Sequence, residues 1–126
     1  MKYTRIMNAI NNLRSDVADL KKMIFGANTG RFLFLSRSIQ RQFALIQNRC
    51  NTCSSICGND YVDHYLMIVQ REMGDIQELV FDHKIHNDEL VETEDDIHTC
   101  FEQIELNIGY MEYLFLQPEM FKLEVL

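Results

Sequence analysis

Proline and tryptophan are almost absent from this chain of 126 residues: Pro118 is its one proline, and it contains no tryptophan. Glycine is also scarce, with five residues. A chain with so few turn residues is expected to form long uninterrupted elements rather than a β architecture with many tight turns. Its 47% hydrophobic and 25% charged residues are typical of a folded globular protein, so we predict a single domain over residues 1–126.

The sequence also lacks a long apolar run. A helix that spans a bilayer needs about 20 consecutive apolar residues, and no segment of the chain approaches that length. The opening segment MKYTRIMNAINNLRSD has no continuous apolar stretch of the kind that a secretory signal contains. We therefore predict no transmembrane segment and an intracellular location, in the cytoplasm or the nucleus, where cysteines stay reduced.

Sequence motifs of the common enzyme classes are missing as well. There is no G-x-S-x-G, no H-E-x-x-H, no glycine-rich phosphate loop and no D-x-D-x-D-G calcium loop. Di-iron bundles use Glu-x-x-His on two helices, and no such pair occurs here. We therefore expect no enzymatic activity, no catalytic residue and no cofactor, with zinc on cysteines as the less favoured alternative.

Basic residues are missing from one long stretch, because residues 85–121 contain ten Asp or Glu and no Lys or Arg. The asymmetry extends over the chain: residues 1–49 hold nine Lys or Arg and two Asp or Glu, whereas residues 50–126 hold three and seventeen. Nucleic acid binding needs several cations on one face, and these basic residues form no dense stripe. The simpler expectation is that a basic helix 1 or 2 lies along an acidic helix 4.

Helical periodicity is the strongest pattern in the chain. Hydrophobic residues recur at steps of three and four in four segments, as on a helix that buries one face. These seams are Ile6, Ile10, Leu13, Val17, Leu20 and Ile24; Phe32, Leu35, Ile39, Phe43, Ile46, Cys50, Cys53 and Cys57; Val62, Leu66, Val69, Met73, Ile76 and Val80; and Ile97, Phe101, Ile104, Ile108, Met111 and Phe115. We predict helices at about 5–25, 31–57, 60–84 and 88–116, followed by a C-terminal tail at 118–126.

Short connections between helices favour antiparallel neighbours. The predicted fold is therefore an all-α four-helix bundle, mostly antiparallel, with coiled-coil-like seams. Gly58 is expected to end helix 2, and Asn59 or Asp60 to cap helix 3. The seam of helix 1 is narrow, as in a coiled coil formed by two chains, so the alternative is that helix 1 packs in an intersubunit coil.

Three of the four cysteines lie in the segment NRCNTCSSICGND, residues 48–60. Cys50, Cys53 and Cys57 continue the apolar seam of helix 2, and buried cysteine behaves as a small apolar side chain. Cys50 and Cys57 are separated by about 10 Å along a helix, so on an intact helix they cannot bind one ion. The favoured interpretation is a buried helix face. The alternatives are a metal site on Cys50, Cys53, Cys57 and Cys100, which needs the segment to unwind, and disulfides.

Together these patterns predict an acidic, non-enzymatic structural or scaffolding protein. It would self-associate, with a dimer favoured, or join a larger protein assembly through coiled-coil helices. The composition is compatible with a small viral structural component. The alternatives are a Cys-based metal-binding or redox module and a helical adaptor that binds a partner helix. The residues expected to make contacts lie on helix 1 and the tail: Ile6, Ile10, Leu13, Val17, Leu20, Ile24, Phe121, Leu123 and Val125.

Overall fold

The computed structural model describes residues 2–25, 32–81 and 89–116, and these residues form four α-helices. The helices are α1 (Lys2–Phe25), α2 (Phe32–Cys57), α3 (Asp60–Phe81) and α4 (Glu89–Leu116). They pack against one another, which confirms the predicted all-α four-helix bundle.

Each helix runs antiparallel to its two neighbours in the bundle. α1 packs most extensively on α2 and α3 on α4, while the α2–α3 and α4–α1 contacts close the ring. Pairs that show the direction are Arg14–Glu112 and Lys21–Glu105 between α1 and α4, and Phe43–Phe81 and Ser54–Asp63 between α2 and α3. We call the end of the bundle where α1 and α3 finish the Phe25 end, and the opposite end, where α2 turns into α3, the Gly58 end.

The predicted seams form the core of the bundle. Every seam residue whose side chain is described is buried, except Ile24, which is partly buried against the others. Burying one large apolar side chain contributes about 1.5–3 kcal/mol, so these 3–4-spaced rows dominate the stability of the fold. Phe32 and Leu35 lie outside the residues with described side chains.

Helix α1 uses its seam within its own chain. Ile6, Ile10, Leu13 and Leu20 are each 0% exposed and Val17 is 1% exposed in the bundle core. An intersubunit coil would need the same side chains for a second chain, so it is not the arrangement in this structure. The tail residues Phe121, Leu123 and Val125, expected to make contacts, lie outside the described residues.

The connection between α2 and α3 follows from two residues. Gly58 has a φ of 54°, in the left-handed region that glycine adopts without strain, and its N–H donates to the Ser54 carbonyl at 3.1 Å. The Asn59 Oδ1 accepts hydrogen bonds from the N–H groups of Tyr61 and Val62 at 2.9 Å and 3.3 Å. The predicted glycine stop is confirmed, and Asn59 is the cap of α3.

The basic first helix lies beside the acidic last helix. Arg14 pairs with Glu112, and Lys21 Nζ lies 3.4 Å from Glu105 Oε1. The expected pairing between a basic helix 1 and an acidic helix 4 is therefore confirmed within one chain. All four side chains are partly exposed, so each pair contributes about 0–1 kcal/mol, and their main effect is on the orientation of the two helices.

Candidate functional site

The three cysteines of the segment at residues 48–60 lie on one buried face of α2. α2 continues to Cys57, and Cys50, Cys53 and Cys57 are 0–2% exposed in the core. All four cysteines of the chain are thiols. On a continuous helix the three α2 sulfurs point along one side at different heights, so they fill space in the core as the favoured interpretation predicted.

Burial makes these thiols weak acids. It raises the pKa of Cys50 to about 12, with a further contribution from the neighbouring Cys53. It raises the pKa of Cys53 to about 11, against a lowering effect of Arg49. Because the thiolate is the form that attacks electrophiles and binds metals, both groups are protonated and unreactive near neutral pH.

Cys100 lies on α4 and faces α3. Its sulfur and the carboxylate oxygens of Glu72 and Asp75 lie within 4.8 Å of one another. Of the four cysteines that the sequence suggested as metal ligands, Cys100 is the one that belongs to such a group among the described residues. Burial first, then a hydrogen bond from the thiol to Glu72 and the charges of Glu72, Asp75 and Asp96, raise its pKa to about 12. The carboxylates around Cys100 therefore make the α3–α4 face strongly negative near the Phe25 end.

A polar link between α1 and α2 was not apparent in the sequence. Gln42, only 8% exposed, donates from Nε2 to the Asp16 carbonyl oxygen at 2.8 Å, and Arg49 Nε donates to Asp16 Oδ2 at 2.7 Å. Both bonds join α2 to one residue of α1, so they fix the register of the two helices. The only indication of this link in the sequence is the glutamine directly before the seam residue Phe43.

A second apolar stripe lies outside the core on α3 and α4. Tyr61 and Tyr113 are each 62% exposed, Leu106 is 47% and Tyr110 is 45% exposed. The Tyr65 and Tyr110 rings, 5.5 Å apart between centroids, join the two helices. We call these five residues the tyrosine face. It could have been recognised from the i, i+4 and i+7 spacing on α4, but the stronger core seam masks this pattern.

Shallow grooves follow the joints between neighbouring helices. The α1–α2 groove, of about 200 Å³, is lined by five polar residues, among them Arg5, Asn8, Asn12 and Thr52, and by Ala9 and Ile56. The α2–α3 groove, of about 260 Å³, has four glutamines among its nine lining residues. The α1–α4 groove, of about 380 Å³, contains Phe25 and His98, whose rings stack at 4.0 Å. Ligand pockets usually bury most of a bound molecule in an apolar cleft, whereas these grooves are open along the surface of the bundle.

Comparison with models of known protein families, with curated proteins and with solved structures finds no match for this chain. Within the described residues, none of the helices combines the length and the apolar character that crossing a membrane requires.

Proposed function

We propose that this protein is a non-enzymatic structural or scaffolding protein that joins a protein assembly, including copies of itself, through the outer faces of its helices. One observation carries the proposal: the bundle uses its seams internally and still exposes a second set of large side chains on α3 and α4. Clustered exposed aromatic residues are typical of protein contact surfaces.

The exposed set is concentrated rather than scattered. Seven large hydrophobic side chains are exposed among the described residues, and Tyr61, Leu106, Tyr110 and Tyr113 of the tyrosine face account for four of them. Single exposed apolar residues are normal on a soluble protein and need no explanation. A group that shares one side of two packed helices supports a contact surface instead.

The proposed contacts therefore differ from those suggested by the seam of helix 1. Releasing that seam to a partner would expose residues such as Ile10 and Leu13, which are 0% exposed, at a cost of about 1.5–3 kcal/mol for each side chain. Contacts through the outer faces leave the core intact, so association does not compete with folding.

The state of the cysteines supports a role without covalent chemistry. The thiols of Cys50, Cys53 and Cys100 are buried and their pKa values are raised to about 11 or 12. A nucleophilic or redox cysteine instead has a lowered pKa and solvent access. This favours the assembly role over the Cys-based module.

Size-exclusion chromatography with light scattering tests the self-association part of this proposal. The mass of the full chain should rise above the 14.9 kDa of one copy as its concentration increases. Adding a reductant should leave the mass unchanged, because the cysteines are buried thiols. A mass that stays at one copy throughout the series would contradict self-association, and a mass that falls on reduction would point to disulfide-linked association.

A further inference from the structure

Two opposite faces of the bundle carry opposite charge. Among the described side chains, α1 and α2 hold seven Lys or Arg and two Asp or Glu, whereas α3 and α4 hold one and eleven. In the ring order α1, α2, α3, α4, the α1–α2 face and the α3–α4 face are on opposite sides. The molecule is therefore polarised across its width.

Part of this charge is neutralised inside the chain, and part is left at the surface. Ion pairs engage Arg14 and Lys21 of α1 and Arg49 of α2. Arg37 and Arg41 are exposed, one helical turn apart, and form no ion pair with another described residue. These two cations are the strongest unpaired positive feature of α2.

Two acids that form no ion pair with another described residue, Asp75 and Asp96, lie at the same end of the bundle as these two arginines. Phe43 packs against Phe81, with 6.0 Å between ring centroids, so the start of α2 and the end of α3 share the Phe25 end. Asp75 and Asp96 are exposed near that end, and both carboxylates contribute to the negative field around Cys100. The positive and negative groups therefore lie at similar heights on opposite faces.

We propose that copies of this chain associate side by side in one orientation, with the α3–α4 face of one copy against the α1–α2 face of the next. Asp75 and Asp96 then meet Arg37 and Arg41 at the Phe25 end. Because this contact joins two different faces, the copy at each end keeps one face free for a further copy. The assembly therefore extends into rows unless a rotation between copies closes it into a ring. This inference rests on the proposed function, and it names the surfaces and the geometry of self-association.

The same arrangement gives the tyrosine face a partner at the Gly58 end. There it meets the α1–α2 groove, in which Arg5, Asn8, Asn12 and Thr52 present polar groups. Tyrosine combines an apolar ring with a hydroxyl that needs a hydrogen-bond partner when buried, and an arginine can stack on the ring. Placing a second copy alongside the first in the same orientation thus pairs opposite charges at the Phe25 end and places the tyrosine face against the α1–α2 groove at the Gly58 end.

A symmetrical contact between two α3–α4 faces is disfavoured by the same charges. It would bring together two faces whose helices carry far more acidic than basic side chains, and juxtaposed like charges repel. The net charge of −7 also repels copies at long range. At physiological salt this repulsion is screened beyond about 8 Å, whereas ion pairs at close contact persist.

Charge reversal on each face tests the geometry. The acid variant is Asp75→Lys with Asp96→Lys, the base variant is Arg37→Glu with Arg41→Glu, and the control is Gln47→Lys with Gln77→Lys in the α2–α3 groove. Masses of the full chains are measured by light scattering over a concentration series, and circular dichroism verifies folding. We expect each face variant alone to associate at least about tenfold more weakly than the natural chain. The control should associate normally.

Mixing the two face variants in equal amounts provides the decisive arm. Because each variant reverses one surface of the same contact, the mixture should recover association that neither shows alone. If both variants associate as strongly as the natural chain, or if mixing restores nothing, the proposed geometry is wrong while self-association itself stands. If the natural chain remains a single copy, both the proposed geometry and self-association are wrong. If it binds only an added basic protein, the α3–α4 face contacts a different partner and not a second copy.

Discussion

Leu13 lies in the middle of the α1 seam and is 0% exposed, so replacing it with alanine tests whether that seam belongs to the core of one chain. A buried Leu→Ala change removes the transfer free energy of the side chain and leaves a cavity, which together cost about 2–5 kcal/mol. Small domains have free energies of unfolding of about 5–15 kcal/mol. The Leu13→Ala variant should therefore remain folded but lose a large part of its stability.

Urea unfolding followed by circular dichroism measures this loss. Running it at protein concentrations that differ about tenfold, in high salt to suppress charge-driven association, separates the two arrangements of α1. For a seam buried within one chain, the free energy of unfolding is independent of concentration. For an intersubunit coil it rises by about 1.4 kcal/mol per tenfold increase.

The matched control is Leu106→Ala on the tyrosine face. Leu106 is 47% exposed, and surface substitutions usually change stability by about 0.5 kcal/mol or less. A Leu13→Ala loss no larger than that of this control, or a strong concentration dependence for the natural chain in high salt, would refute the placement of α1 in its own core.

Four further predictions concern the α2–α3 connection, the interior of α3, the polar link between α1 and α2, and the thiols. Gly58→Ala should destabilise the protein by about 1–2 kcal/mol in urea unfolding, because the φ of 54° is strained for alanine. Steric overlap does not contribute, since an added Cβ meets no atom within 4 Å. Gly74→Ala, in the interior of α3 and equally free of close contacts, should instead stabilise it by about 0.5–1 kcal/mol. A double-mutant cycle on Asp16 and Arg49, with alanine at each, should give a coupling free energy of about 1 kcal/mol, and a value near zero would remove the link from the account. Because folding raises the thiol pKa values from 9.0 to about 11–12, the unfolded chain loses these protons first, and stability measured by urea should fall as the pH rises through this window. Stability that is flat from neutral pH to the upper part of that window would contradict the buried thiols.

Much of the fold was accessible from the sequence because helix packing leaves a simple periodic record. A helix buried on one side needs apolar residues at steps of three and four, and the chain keeps this spacing through rows such as Val62 to Val80. Gly58 and Asn59 were recognisable because few other residues suit a left-handed turn followed by a cap. The charge asymmetry likewise indicated that α1 or α2 contacts α4, and the structure shows that it is α1.

The remaining features depend on information that one sequence does not contain. A narrow apolar seam on helix 1 fits a partner helix from the same chain or from another, since both present the same surface. The Gln42–Asp16 link requires the register of α1 on α2, which periodicity does not specify. The tyrosine face lies beside a stronger core pattern, so only the packed structure separates the exposed stripe of Leu106, Tyr110 and Tyr113 from buried rows.

Sedimentation velocity of the full chain at low and high salt measures whether the charged outer faces hold copies of the chain together. If oppositely charged outer faces join closed bundles into an assembly, species larger than one copy should form at low salt and dissociate to 14.9 kDa at about 1 M salt, where screening acts within about 3 Å. A single copy under both conditions, or larger species that are indifferent to salt, would contradict the account.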